Sequence, residues 1–326
     1  MFRKAWRLAV PVSLLALGLA GLSGQQPKSA PSQSENTPPL FKSSTRLVVC
    51  PTTVVDKAGH LVLNLKQDAF SVTENDVKQD ILLFKREDLP VSLGLVIDNS
   101  GSMRPKRTSV EAAALALVKD SNPDDEVFIV NFNDDAYIDN PHAKDFLPGT
   151  DTTEMQEALT RIDSRGGTAM RDAIDKSIEW LKKAHKEKKV LVVVTDGVDN
   201  ASSVSLENLV RDARQNEVLI YTIGLLTEEE KRNAAKARRE LKAVTEATGG
   251  VPYYPNELAD VERIAHQVAH EIRNQYTIAY KPTNEALDGS FRKIKVTVKA
   301  PGNPTPRTKT GYYATAEPGA THSSGK

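Results

Sequence analysis

The stretch VSLGLVIDNSGSM, residues 91–103, runs from an unbroken apolar segment into one carboxylate and two hydroxyls at alternate positions, Asp98, Ser100 and Ser102, with Gly101 between the serines. Continuous Val, Ile and Leu without polar alternation marks a strand covered on both faces. The pattern returns in DEVFIVNFND (125–134), KKVLVVVTDG (188–197), EVLIYTIGL (217–225) and VPYYP (251–255). Between these runs lie segments with apolar residues at helical spacing, at 109–120, 153–163, 169–187, 205–215, 227–248 and 258–275. Strand and helix in alternation make a largely parallel sheet with helices on both faces. The expected fold class over residues 91–273 is therefore α/β, a doubly wound, mostly parallel sheet.

On the N-terminal side, residues 46–88 carry short β patterns: RLVVCPTTVVD (46–56), LVLNL (61–65) after a turn at KAGH, FSVTEN (70–75), a turn at Asn75-Asp76, and VKQDILLFKR (77–86). Three more, QYTIAYKP, FRKIKVTVKA and KTGYYAT, fall within 275–315 and have no partner helices. The economical solution is a small β-sandwich built from both ends of the chain, with the α/β domain inserted in it.

The chain has 326 residues, 39% apolar and 26% charged, enough for more than one core. Residues 1–24 begin with Arg3, Lys4 and Arg7 and continue into a short apolar segment ending in small residues, the plan of a secretory leader. Pro11 interrupts an apolar run shorter than the ~20 residues a spanning helix needs, so no transmembrane anchor is expected after cleavage. Residues 25–45 read as a Gln-, Pro- and Ser-rich disordered linker, and 316–326 as a disordered tail. The expected location is therefore outside the cytoplasm, in the periplasm or beyond. Without residues 1–24 the chain carries 40 basic and 43 acidic groups, which gives no electrostatic footprint for nucleic acid. Cys50, the single cysteine, sits in a β-branched run and reads as a buried structural thiol.

In open α/β sheets, ligands bind beyond the carboxyl ends of the strands, where the strand order reverses. VIDNSGSM ends one such strand and places Asp98, Ser100 and Ser102 in the loop that follows. VLVVVTDG ends another at Asp196, and SRGGTAMRDAI contributes Thr168 behind Gly166 and Gly167. All five side chains are hard oxygen donors, with no sulfur or imidazole, which suits Mg²⁺, Mn²⁺ or Ca²⁺. Two aspartates only just balance a divalent ion. If some of them act through water, the ion keeps positive character and favours a carboxylate brought by a partner.

These residues resemble the metal-ion-dependent adhesion site of the von Willebrand factor type A family: Asp-x-Ser-x-Ser at Asp98, Ser100 and Ser102, Thr168 in GGTAM, and Asp196 in TDG. The resemblance covers roughly Val91 to Arg273. It implies that the serines and often the threonine hold the ion directly and the aspartates mainly through water, while an acidic residue of a protein ligand completes the shell. The flanking segments are similar to those of exported von Willebrand A-related proteins found widely in Acidobacteria, a group for which few partners are assigned. The implied function is divalent-metal-dependent binding of a protein or other acidic ligand, without catalysis.

Residue types alone admit other readings. Asp98, Ser100 and Ser102 taken alone fit a helix N-cap. Asp199 and Asn200 read as turn formers that could also touch the site indirectly. His266 and His270 in HQVAHE share a helical face, but Gln267 stands where a zinc peptidase needs glutamate. An envelope assembly protein that needs no metal, and a metal-dependent hydrolase, are the alternative functions.

Overall fold

The structure, a computed structural model, describes residues 47–161, 163–226 and 231–315. The expected leader, linker and tail lie outside the described residues. Four short strands come first: β1 (Val48–Val55), β2 (Phe70–Glu74), β3 (Val77–Gln79) and β4 (Ile81–Lys85). The α/β part follows as β5 (Val91–Asp98), α1 (Arg107–Lys119), β6 (Glu126–Phe132), β7 (Ala136–Ile138), β8 (Leu147–Pro148), α2 (Thr152–Thr160) and α3 (Met170–Trp180). It continues through β9 (Lys188–Thr195), α4 (Leu206–Gln215), β10 (Leu219–Gly224), α5 (Lys231–Thr248), β11 (Pro252–Tyr253) and α6 (Asp260–Arg273). The described chain closes with β12 (Tyr276–Tyr280), β13 (Phe291–Val298), β14 (Thr305–Arg307) and β15 (Gly311–Tyr313).

The central sheet runs β11-β10-β9-β5-β6-β7, with β8 also on β6. From β11 to β6 every pairing is parallel. The antiparallel edge made by β7 and β8 is too short to leave a sequence pattern. From β5 the chain moves to one side for β6 and returns to the other for β9, so the strand order reverses between β5 and β9. That reversal opens the crevice at their carboxyl ends.

Alternation along β5 divides the packing between the two faces. Leu93, Leu95 and Ile97 enter a core with Val110, Leu117, Met155, Ile264 and Val268 from α1, α2 and α6. Val96 faces the other core, with Phe128, Ile174, Leu191, Leu209 and Leu241. Gly94 is the one β5 position without a side chain because a Cβ there would stand 2.4 Å from Leu191 Cδ2 and 2.5 Å from Phe128 Cζ.

The flanking strands form two four-stranded sheets, β14-β1-β12-β4 and β15-β13-β2-β3, and each contains strands from both ends of the chain. Val48, Cys50, Phe70, Val72, Ile278 and Val296 fill the space between them. Buried Glu74 on β2 accepts hydrogen bonds from the Tyr280 hydroxyl (2.8 Å) on one sheet and the Tyr312 hydroxyl (3.0 Å) on the other. Gln275 Nε2 donates to Thr53 Oγ1 (3.0 Å) on β1 and Tyr221 Oη (3.3 Å) on β10, joining this layer to the central sheet.

Three local expectations are corrected. LVLNL is not a strand: beyond a bridge at Leu61, its backbone is held by a side chain, Tyr276 Oη, which donates to Val62 O (2.8 Å) and accepts from Leu65 N (3.0 Å). VKQDILLFKR is two strands, because the chain breaks at Asp80 and passes from one sheet of the sandwich to the other. The helix expected over 169–187 stops at Trp180 and ends in a single 3₁₀ turn, where the Glu126 carboxylate takes the His185 backbone N–H (2.7 Å) and lies 2.8 Å from His185 Nδ1, turning the chain toward β9.

Filling the Gly94 gap should be costly. Gly94→Val is expected to lower unfolding free energy by about 1–3 kcal/mol, read from urea denaturation at constant m-value. Unchanged stability would mean that Phe128 and Leu191 repack freely.

Candidate metal centre

Asp98 is the last residue of β5 and is only 1% exposed. Each of its oxygens takes a hydrogen bond: Oδ1 accepts the Ser100 backbone N–H (2.7 Å) and Oδ2 accepts the Thr195 hydroxyl (2.6 Å) from the end of β9. Burial pushes the Asp98 carboxyl up to about 6, against the lowering effect of the Thr195 and Ser100 hydrogen bonds, and nearby Asp196 adds to the rise. The fold therefore holds a carboxylate where its charge is disfavoured, at the strand-order reversal.

The loop after Asp98 enters a 3₁₀ helix over Gly101–Lys106, preceded by Ser100 in extended conformation. Neither this turn nor α1 receives a side-chain cap, so the serine hydroxyls are not spent as N-caps. Ser100 Oγ lies 3.2 Å from Ser102 Oγ, and Ser102 Oγ donates to Asp196 Oδ1 (2.7 Å). The other oxygen of Asp196 pairs with the Lys106 ammonium.

Thr168 belongs to the third loop. Its backbone N–H is taken by Asn200 Oδ1 (2.9 Å), and its carbonyl accepts from Asn200 N (3.1 Å) and Ala201 N (3.3 Å). The Thr168 hydroxyl has no hydrogen-bond partner among the described residues and points to the Asp196 loop: a Cβ on Gly197 would lie 3.5 Å from it. Two backbone bonds fasten this loop to the first, Gly101 N to Gly166 O (3.2 Å) and Arg165 N to Asn99 O (2.9 Å). Gly166 has φ +75°, and a Cβ there would strike Asp134 Oδ2 at 2.1 Å, so glycine is required. Asp134 Oδ1 in turn accepts the Gly167 N–H (2.7 Å).

The three loops thus meet, with Asp98, Ser100, Ser102 and Asp196 in one hydrogen-bonded chain and the Thr168 hydroxyl beside it. Several contributors were not singled out in the sequence. Thr195, Asp134 and Lys106 act across 33 to 97 residues of separation, and only their positions at strand ends or in the loop after β5 could have pointed to them. Asn200 does more than form a turn, because it fixes the Thr168 backbone. Asp199 braces the same region by accepting the Arg171 backbone N–H (2.7 Å) and the Ser202 hydroxyl (2.6 Å).

Among the described residues no group of three or more His, Cys, Asp or Glu side chains is arranged to hold a metal. The centre has only two carboxylates, so cation binding here would depend on hydroxyl oxygens. This donor set fits a hard, oxygen-seeking cation, with lone pairs on Ser100, Ser102 and Thr168 available and Asp98 and Asp196 close enough to supply charge. His266 is turned to Asp120 instead, with Nδ1 2.5 Å from its carboxylate, and links α6 to the end of α1.

Residues 93–198 match the family model described as von Willebrand factor type A domain. Calcium-activated chloride channel regulator 1 from Equus caballus is 27% identical over 170 residues, 51% of this chain and 17% of that protein. Inter-alpha-trypsin inhibitor heavy chain H4 from Bos taurus is 25% identical over 150 residues, 42% of this chain and 16% of that protein. This chain therefore spans about a sixth of the length of these two relatives. Among solved structures, a von Willebrand factor type A protein from Catenulispora acidiphila shares the fold, with TM-score 0.50 and 14% identity over 83% of this chain and 75% of that one.

The buried Asp98 charge has a measurable consequence. Its carboxyl is raised in the fold, so its contribution to stability is full below about pH 3.8 and is lost as pH rises through about 6. Asp98→Asn keeps the shape and removes the charge. In chelator at pH 7 the variant should be more stable than wild type by about 1–3 kcal/mol, with the gap closing toward pH 4. Denaturant titrations at the two pH values read this, and a less stable variant at pH 7 would contradict it.

Proposed function

Because the chain carries a von Willebrand factor type A domain, we propose that it binds a protein ligand through a divalent cation held at the β5–β9 crevice, and that it does so without catalysis. The observation that carries this reading is the unspent hydroxyl of Thr168 facing the Asp196 loop, in a crevice where the Ser100 and Ser102 hydroxyls cap no helix. The bonds of Asp98 and Asp196 tie the loops together, and the Thr168 hydroxyl is left over beside them.

In this reading Ser100, Ser102 and Thr168 hold the cation, Mg²⁺ or alternatively Mn²⁺ or Ca²⁺. Asp98 stays fixed by Thr195 and the Ser100 amide and balances charge from behind, while Asp196 orients Ser102. The ion supplies an open coordination position and surplus positive charge, which an acidic side chain of the ligand would meet. Arg104 and Arg165 are exposed on the surrounding loops and favour the approach of such a ligand. Described histidines that make side-chain ion pairs turn to Asp56, Glu126 and Asp120, away from the crevice. Export is proposed on the amino-acid order of residues 1–24. None of the described helices is long and apolar enough to cross a membrane.

Mn²⁺ titration of the chelator-stripped chain, followed by electron paramagnetic resonance, tests the site. One ion per chain is expected, and Ser100→Ala or Thr168→Ala should weaken binding at least about tenfold, the scale on which even indirect partners of a metal act. Binding that is absent, or unmoved by both substitutions, would contradict the proposal. Function is read separately. Asp98→Ala should fold yet lose Mg²⁺-dependent retention of a ligand from the native envelope, and equal retention in chelator and in Mg²⁺ would count against a metal-dependent role.

A further inference from the structure

Lys106 stands out among the basic residues of the loop. In RPKR, residues 104–107, Arg104 donates to the Ser164 carbonyl (3.1 Å), and Arg107 donates to Glu111 (2.8 Å) and the Thr160 carbonyl (2.7 Å). Lys106 is the one of the three that reaches the centre, where its ammonium pairs with Asp196 Oδ2. The Asp196 side chain is 1% exposed and that of Lys106 14%, so the carboxylate is enclosed while its partner keeps some access to solvent. A carboxylate buried to that extent needs a counter-charge, and Lys106 supplies it.

We propose that Lys106 is an internal cation that competes with the divalent ion for Asp196, holding the metal-free centre together and limiting its affinity for metal. This rests on the metal-site reading given above. The two carboxylates of the centre carry two negative charges, and Lys106 already neutralises one of them. An ion arriving at Ser100, Ser102 and Thr168 meets a carboxylate whose oxygens are both engaged, one by Ser102 and one by a like-charged ammonium. Two cations on one carboxylate repel at short range, where screening by water is weakest. The flexible four-carbon stem and partial exposure of Lys106 allow its ammonium to withdraw toward solvent. Metal loading then includes the cost of breaking this pair, and the metal-free protein avoids an unanswered buried charge.

The test is calorimetric titration of the chelator-stripped full chain with MnCl₂, alongside thermal melting in chelator. Lys106→Gln and Lys106→Met, the second keeping the aliphatic stem, should bind Mn²⁺ at least about tenfold more tightly than wild type. Both should melt lower than wild type in chelator and recover with Mn²⁺. Arg107→Gln removes a neighbouring charge that pairs with Glu111, not with Asp196, and should shift Mn²⁺ affinity by no more than about twofold. Lys106→Arg keeps the charge and should bind no more tightly than wild type. If wild type binds Mn²⁺ but the folded Lys106 variants bind it no better than Arg107→Gln, the competition is refuted and the metal site stands. If no form binds Mn²⁺, both readings fall together.

Discussion

A carboxylate sealed at the end of the central strand is the constraint on which the crevice depends. Asp98 is buried, its proton is held more tightly than usual, and both its oxygens are used to join β5 to its own loop and to β9. Such a charge can persist only inside a fixed set of donors. Thr195 and the Ser100 amide provide that set, and in doing so they draw the ends of the two strands at the sheet's reversal into one structure. The serine hydroxyls follow, because a loop pinned at Ser100 turns directly into the 3₁₀ segment that presents Ser102 to Asp196.

The surrounding architecture keeps this arrangement rigid. Gly166 and Gly167 let the Thr168 loop lie against Asp134 and Asn200, where a side chain would collide. The apolar strands beneath are packed on both faces, and Gly94 lets Phe128 and Leu191 cross over β5. Farther away, Gln275 joins the flanking sheets to β10, so that layer bears on the same sheet that carries the crevice. Function in this account is a property of loops held by a stiff scaffold, the arrangement expected where a ligand meets an open α/β sheet.

The sequence was most informative where physical pattern is local. β5, β6, β9 and β10 are legible as apolar runs, and the alternation with helices is enough to predict a parallel sheet. Pattern failed where a distant partner decides. LVLNL has the composition of a strand, but Tyr276, more than 200 residues away, takes its backbone groups. VKQDILLFKR breaks at Asp80 because its halves serve two different sheets. At the crevice, Asp98, Ser100, Ser102, Thr168 and Asp196 could be read from residue type and strand-end position. Lys106 could not, because RPKR holds three basic residues and nothing local tells which one reaches Asp196.

Crystals of the full chain grown with Mn²⁺ and measured near the manganese absorption edge show whether the crevice holds a cation, since anomalous scattering locates the ion without assuming its ligands. One peak is expected, bonded to the hydroxyl oxygens of Ser100, Ser102 and Thr168, with Asp98 still bound to Thr195. A fully ordered crevice without a peak, or a peak held by other residues, would contradict it.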